Sequence, residues 1–240
     1  MSAFHPACCS PFDSQWPLPQ ALPGARLVAC LFQPDMLMAE DFLRCGIEAP
    51  ASIQRSVAKR QAEFLAGRLC AREAMRGLGG PAVVPALGED RAPQWPTGFS
   101  GSITHGKGWA AAVVAQKSDW RGLGLDVEQL LTETRAERLA GEILTPAELQ
   151  RLRPGQTALQ VTLTFSLKES LFKALYPLVG KRFYFEDAEL LDWQPDGTAR
   201  LRLLCDLSDD WCRGVELEAQ FATFDEYLLS LVAVSARPGL

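Results

Sequence analysis

Residues 53–78 run without an internal proline, and Ala58, Ala62, Leu65 and Leu69 recur within them at helical spacing, so the segment reads as one long helix with an apolar stripe. Such a stripe has to be buried against another element. A continuous apolar run, "GWAAAVVA", follows and reads as a strand. The same order returns later in the chain. "FSLKESLFKALYPLVG" turns Leu167, Leu171, Ala174 and Leu175 inward up to about Tyr176, where Pro177 is expected to help end the helix, and "EYLLSLVAVS" supplies the later strand. This doubled order predicts an α/β chain of the α+β kind, with two similar halves, each a small sheet packed with a long helix. The halves are expected to span residues 26–120 and 121–240.

With 240 residues and 48% hydrophobic content the chain can bury two such cores. Residues 1–25 differ: five prolines fall in the first two dozen positions without any period, which predicts an extended arm over the surface. "RLVACLF", "FSGSITH" and "GLGLDVE" read as further strands, as do "AELLDW", "TARLRLL" and "VELEAQFATF", with "QPDG" a turn. Thr145-Pro146-Ala147-Glu148 is a capping box that starts a helix.

A net charge of −5 and an isoelectric point near 5.2 argue against a nucleic-acid partner, which needs a concentrated basic surface. Any anionic ligand must be met by a local basic patch. No apolar run approaches the roughly 20 residues that span a bilayer, so no membrane association is expected. Seven scattered cysteines, an odd number with no apolar leader ahead of them, predict reduced thiols in the cytoplasm.

Four constellations carry chemistry. In "GLGLDVEQL" Asp126 and Glu128 stand two apart in a strand, roughly 6.6 Å from each other on one face. Leu125 and Val127 point the other way. Two neighbouring carboxylates repel unless a cation neutralises them, and hard oxygen donors suit Mg²⁺; a hydrated strand end explains the pair equally. In "FSLKESLFKALYP" Glu169 and Lys173 share a helix face with Lys168 at its edge, although Ser166-x-x-Glu169 also fits a capping box and Glu169 with Lys173 a helical ion pair. In "GSITHGKG" His105 follows a strand among glycines, where backbone N–H groups are open to an anion, and it also fits a plain solvated loop. Last, Arg60, Arg68, Arg72 and Arg76 recur at steps of four and drift about 40° per step, so they cannot line one pocket. Lys59, Arg60 and Arg68 are the ones placed to meet an anion, and the others are expected on a solvated face.

Taken together, G-x-D-x-E at 124–128, K-E-x-x-x-K-A at 168–174, S-I-T-H-G at 102–106 and the upstream "KRQAEFLAGR" resemble the signature of the 4′-phosphopantetheinyl transferases. The form is similar to the enterobactin-synthetase-component-D type, at about the length of its broad-specificity pseudomonad members. The resemblance implies a pseudo-dimeric monomer with coenzyme A in the cleft between its halves. It implies transfer of the phosphopantetheine arm to a serine of acidic acyl or peptidyl carrier proteins, with release of adenosine 3′,5′-bisphosphate. Asp126, Glu128 and Glu169 match the family's metal-binding acids, for Mg²⁺ or alternatively Mn²⁺. His105 matches a phosphate contact; Lys59 or Arg60, Arg91 and Thr104 fall where related enzymes hold the nucleotide, and Lys168 and Lys173 join these cofactor contacts. Such a transfer needs a base for the serine proton, a part open to Glu169 or to a metal-bound water held by it or by Glu128, and Lys173, one helical turn beyond Glu169, is placed to stabilise or protonate the leaving phosphate. Many relatives carry N-x-S-H where this chain has Ser102-Ile103-Thr104-His105, so a hydroxyl is kept and an amide is not. Two other readings stand beside this one: a metal-dependent nuclease or phosphoesterase, and a carrier-protein binding module without turnover.

Overall fold

The structure, a computed structural model, describes residues 4–236, so the first three residues of the expected arm and the last four of the expected second half lie outside the described residues. Contacts divide the chain into two compact units: Leu22–Asp119 with the segment up to Trp16, and Pro17–Ala21 with everything from Trp120 onward.

The first unit contains β1 (Ala25–Leu31), α1 (Asp41–Arg44), α2 (Ala51–Gln54), α3 (Ala58–Gly77), β2 (Ala86–Leu87), β3 (Pro93–Gln94), β4 (Phe99–His105) and β5 (Trp109–Gln116). Its main sheet is antiparallel in the order β1-β5-β4. Ala110, Ala112 and Val114 of the central strand join Ala62, Leu65, Ala66 and Leu69 of α3 in one core. The small strand side chains let the helix lie close to the sheet. The long helix expected over residues 53–78 is broken: Val57 is extended (φ −65°, ψ 154°), and α2 ends before α3 begins. The Gln61 side-chain amide holds the break by donating to the carbonyls of Gln54 (2.9 Å) and Ser56 (2.8 Å). The N-terminal segment does more than cover a surface. Asp13 exchanges two backbone hydrogen bonds of 2.8 Å with Ala29 on the open edge of β1, and Cys8 and Cys9 are buried.

The second unit contains β6 (Trp120–Gln129), α4 (Glu133–Ile143), α5 (Pro146–Gln150), α6 (Thr157–Val179), β7 (Ala188–Trp193), β8 (Thr198–Leu203), β9 (Glu216–Phe224) and β10 (Tyr227–Ser235). The five strands form an antiparallel sheet in the order β6-β10-β9-β8-β7, with α6 against β6 and β10. Leu163, Leu167, Leu171 and Leu175 of the helix meet Leu201, Leu203, Leu228 and Val232 in the core. The capping box at Thr145 is present, with the Thr145 N–H donating to Glu148 Oε2 at 2.7 Å.

Helix α6 is longer than its pattern suggested. Its first turns carry β-branched residues, and Thr162 and Thr164 are accommodated by donating back to the carbonyls of Ala158 (2.7 Å) and Gln160 (2.8 Å). Pro177 sits inside the last turn, and the helix stops at Gly180, whose φ of +63° is a left-handed cap. Ser166 is therefore mid-helix and fully buried, and the capping-box reading of Ser166-x-x-Glu169 falls.

Two glycines bring β6 under α6. A Cβ on Gly122 would lie 2.5 Å from the Ala174 carbonyl oxygen, and one on Gly124 would collide with the Ser170 carbonyl. Strand alternation then puts Asp126 on that same helix-facing side, with Leu125 and Val127 buried on the other. All seven cysteines are free, and no helix among the described residues is long and apolar enough to cross a membrane.

Candidate active site

Asp126 is the centre of the acidic constellation. It is only 4% exposed, and the antiparallel register sets it directly opposite Ser230 of β10. Lys173 Nζ donates to Asp126 Oδ1 at 2.7 Å and to the Leu125 carbonyl at 3.0 Å. Ser166 Oγ donates to Asp126 Oδ2 at 2.9 Å. The lysine thus reaches across to the strand, and the helical ion pair with Glu169 that spacing alone allows is replaced.

Glu128 and Glu169 are half-buried and have no ion pair among the described residues. Burial pushes the Glu128 carboxyl up to about 7, with the Asp126 charge adding, Lys173 opposing, and Glu169 adding again. Burial raises Glu169 too, with Lys173 opposing and Asp126 adding. The three acids therefore feel one another, and a single ammonium does not neutralise them. As the side chains stand, no group of three acid, histidine or cysteine donors among the described residues is arranged around one ion, and Lys173 covers one Asp126 oxygen. In donor chemistry the set fits a hard divalent cation, since it offers only carboxylate oxygens and carries an excess of negative charge.

Lys168 departs from its expected role beside coenzyme A. It is 3% exposed and donates to Glu148 Oε2 (2.7 Å), the Phe185 carbonyl (2.8 Å) and the Ile143 carbonyl (2.9 Å), which uses all three of its protons. Burial pulls the ammonium below its usual range against the pull of Glu148. Neighbours in sequence are about 100° apart on a helix, so Lys168 and Glu169 face different surroundings. Lys168 ties α6 to α5, and it has no donor left for a ligand.

In the first unit, His105 ends β4 with Nε2 at 2.7 Å from Arg60 Nη1. Arginine only donates, so Nε2 accepts and the ring proton sits on Nδ1, which lies 3.7 Å from Glu63 Oε2. Glu63 also faces Arg60 at 3.4 Å and Lys59 at 3.9 Å, weak pairs given the exposure of both cations. Sequence reasoning overlooked Glu63, although it lies four and three residues from Lys59 and Arg60. Arg68 is 5% exposed, stacks 4.6 Å over the Phe64 ring, and leaves Nε without a hydrogen-bond partner. Burial, with help from the Arg60 charge, pulls it down to about 10. Arg72 is no solvated residue either, donating to the Cys45 carbonyl at 2.6 Å; Arg76 pairs with Glu73 at the surface. Thr104 is buried on the opposite face of β4 from His105, and Arg91 stands exposed in the turn between β2 and β3 with φ +70°.

A buried strand carboxylate held by a lysine, flanked by two acids of raised proton affinity, marks this place as the candidate functional site. Comparison with known proteins supplies the class. The model of the 4′-phosphopantetheinyl transferase N-terminal domain matches residues 48–115, and that of the 4′-phosphopantetheinyl transferase superfamily matches residues 122–232. The chain is 35% identical over 198 residues to the 4′-phosphopantetheinyl transferase Svp of Streptomyces mobaraensis, covering 80% of this chain and 79% of that protein. It is 43% identical over 126 residues to enterobactin synthase component D of Escherichia coli O157:H7, covering 52% of this chain and 59% of that one. Among solved structures, the holo-[acyl-carrier-protein] synthase of Thermotoga maritima aligns at 24% identity and a TM-score of 0.36, over 48% of this chain and 64% of that chain. The chain belongs to the 4′-phosphopantetheinyl transferase superfamily. The nuclease and non-catalytic readings find no support in these matches.

Proposed function

We propose that this chain moves the 4′-phosphopantetheine arm of coenzyme A onto a serine of apo acyl or peptidyl carrier proteins, releasing adenosine 3′,5′-bisphosphate. One observation carries the reading most: buried Asp126 and half-buried Glu128 and Glu169 lie near enough for their charges to act on one another, with Glu128 raised to about 7, which is a cost to folding without a cationic ligand. Mg²⁺ held by these three residues would neutralise the pyrophosphate.

The residues present suit the remaining steps. The carrier serine oxygen attacks the phosphorus that bears pantetheine, the bond from that phosphorus to the bridging oxygen breaks, and the serine proton must leave. Glu169 is the proposed acceptor, since burial raises its proton affinity toward the working range of a base. Lys173, paired with Asp126 and 28% exposed at its side chain, is the cation proposed to stabilise or protonate the leaving phosphate. In the first unit, Arg60, His105 and Lys59, with Arg91, are proposed to bind the nucleotide phosphates. Arg68 joins them, because a buried guanidinium without an acid calls for an anion.

The test is intact-protein mass spectrometry of apo carrier proteins incubated with coenzyme A and Mg²⁺, with and without this protein. The expected result is a mass increase of one phosphopantetheine on at least one carrier. No increase on any of several acidic acyl and peptidyl carriers would refute the proposal, and nicking of a plasmid incubated alongside would favour the nuclease reading.

A further inference from the structure

Three fully buried hydroxyls form a chain that ends on Asp126, and neither the family signature nor the reaction accounts for them. Ser166 and Ser170 lie one turn apart on α6, and Ser230 lies on β10; all three are 0% exposed. Ser166 Oγ is 2.8 Å from Ser230 Oγ, and Ser230 Oγ is 2.8 Å from Ser170 Oγ. Counting protons assigns every donor. A hydroxyl has one proton to give, and a carboxylate paired with a lysine only accepts. Ser166 spends its proton on Asp126 Oδ2 at 2.9 Å, with the Asp126 carbonyl a distant 3.5 Å away. Ser230 must then be the donor to Ser166. Ser170 in turn donates to Ser230, to its Oγ or to its carbonyl at 3.1 Å. The chain runs one way, Ser170 to Ser230 to Ser166 to Asp126, and its last bond is charge-assisted.

We propose that these three serines are positioning residues that fix the orientation of the Asp126 carboxylate for cation binding and transfer. The inference rests on the functional reading above. Lys173 covers Oδ1 from a partly exposed position, whereas Ser166 grips Oδ2 from the sealed interior. Were the ammonium to move away, the serine chain would keep the carboxylate plane in place. Alanine at these positions would satisfy packing at lower desolvation cost, so the fold alone does not call for hydroxyls here.

The test is a titration of Mn²⁺ into the protein with coenzyme A, read from the electron paramagnetic resonance of free Mn²⁺, alongside thermal melting and turnover. Ser166→Ala is expected to weaken Mn²⁺ binding by roughly tenfold or more, the usual effect of losing a hydrogen bond to a metal ligand. Ser230→Ala should weaken it less and Ser170→Ala least, in order of distance along the chain from Asp126. Ser166→Thr and Ser230→Thr, which keep the hydroxyl, should recover most of the affinity. If Ser166→Ala folds poorly, the Ser230 pair of variants carries the comparison. Wild-type Mn²⁺ affinity in all three alanine variants, or losses that follow only the melting temperatures, would overturn the proposal. Asp126→Asn separates the two levels. If it weakens Mn²⁺ while the serine variants do not, the hydroxyl chain alone fails; if it too leaves affinity unchanged, the carboxylate assignment fails with it.

Discussion

Lys168→Met tests whether the lysine of the K-E pair is a strut or a ligand contact. Lys168 and Glu148 form an ion pair at 2.7 Å with side-chain exposures of 2% and 4%, so neither charge has water to fall back on. Removing the ammonium leaves Glu148 charged in the interior, held only by the N–H groups of Thr145 and Leu190, and strips a donor from the carbonyls of Ile143 and Phe185. Breaking such a pair from one side costs about 3–5 kcal/mol. For a chain of this length that loss lowers the melting midpoint by roughly 6–20 °C. Adding Glu148→Gln removes the stranded charge, so the double variant should recover, with a coupling energy of about 1–3 kcal/mol in the cycle. Thermal melts and urea titrations of the four proteins measure this, and steady-state kinetics well below the midpoint should show a KM for coenzyme A close to wild type. The reasoning fails if Lys168→Met keeps wild-type stability to within about 1 kcal/mol while its KM for coenzyme A rises by roughly tenfold or more.

Glu128 supplies a pH signature. Its carboxyl is raised from 4.5 to about 7 in the folded chain, so the folded state binds more protons between those values; its contribution to stability is full below 4.5 and is lost as pH rises through about 7. Melting curves across that window should slope downward for wild type, less so for Glu128→Gln, and Mg²⁺ should stabilise most at the alkaline end; an unchanged slope in Glu128→Gln would count against the site. Asp126→Ala should lower transfer by at least roughly 100-fold with circular dichroism unchanged, and near-normal turnover in that variant would sink the metal assignment. Lys173→Ala should lower kcat more than it weakens coenzyme A binding, and a rise in KM at constant kcat would reassign Lys173 to simple binding. Gly124→Ala drives a methyl into the Ser170 carbonyl and should cost about 3 kcal/mol in a urea titration, far more than an exposed glycine would.

What could be read from the chain follows from how far each signal reaches. Strands such as β5 and β10 declare themselves because their apolar runs are local, and the Asp126-x-Glu128 pair declares a shared face because strand alternation is local too. Helix α4 passed unread among charged residues, and the first turns of α6 were masked by Val161, Thr162 and Thr164, whose preference for strands is overridden by burial. Partner choice was beyond local reach. Spacing allowed Lys173 to pair with Glu169, and only the close approach granted by Gly122 and Gly124 brings Asp126 within 2.7 Å of it. Lys168 is the instructive error, since its 100° separation from Glu169 was available from helical geometry and already argued against a common site. Helical spacing likewise aligns Ser166, Ser170 and Lys173 along one edge of α6, which marks a polar seam in a helix otherwise buried in leucine. The seam's meaning depended on Ser230, which arrives 60 residues after Ser170 on another strand and places the one hydroxyl that links the two helix serines into a chain ending on Asp126.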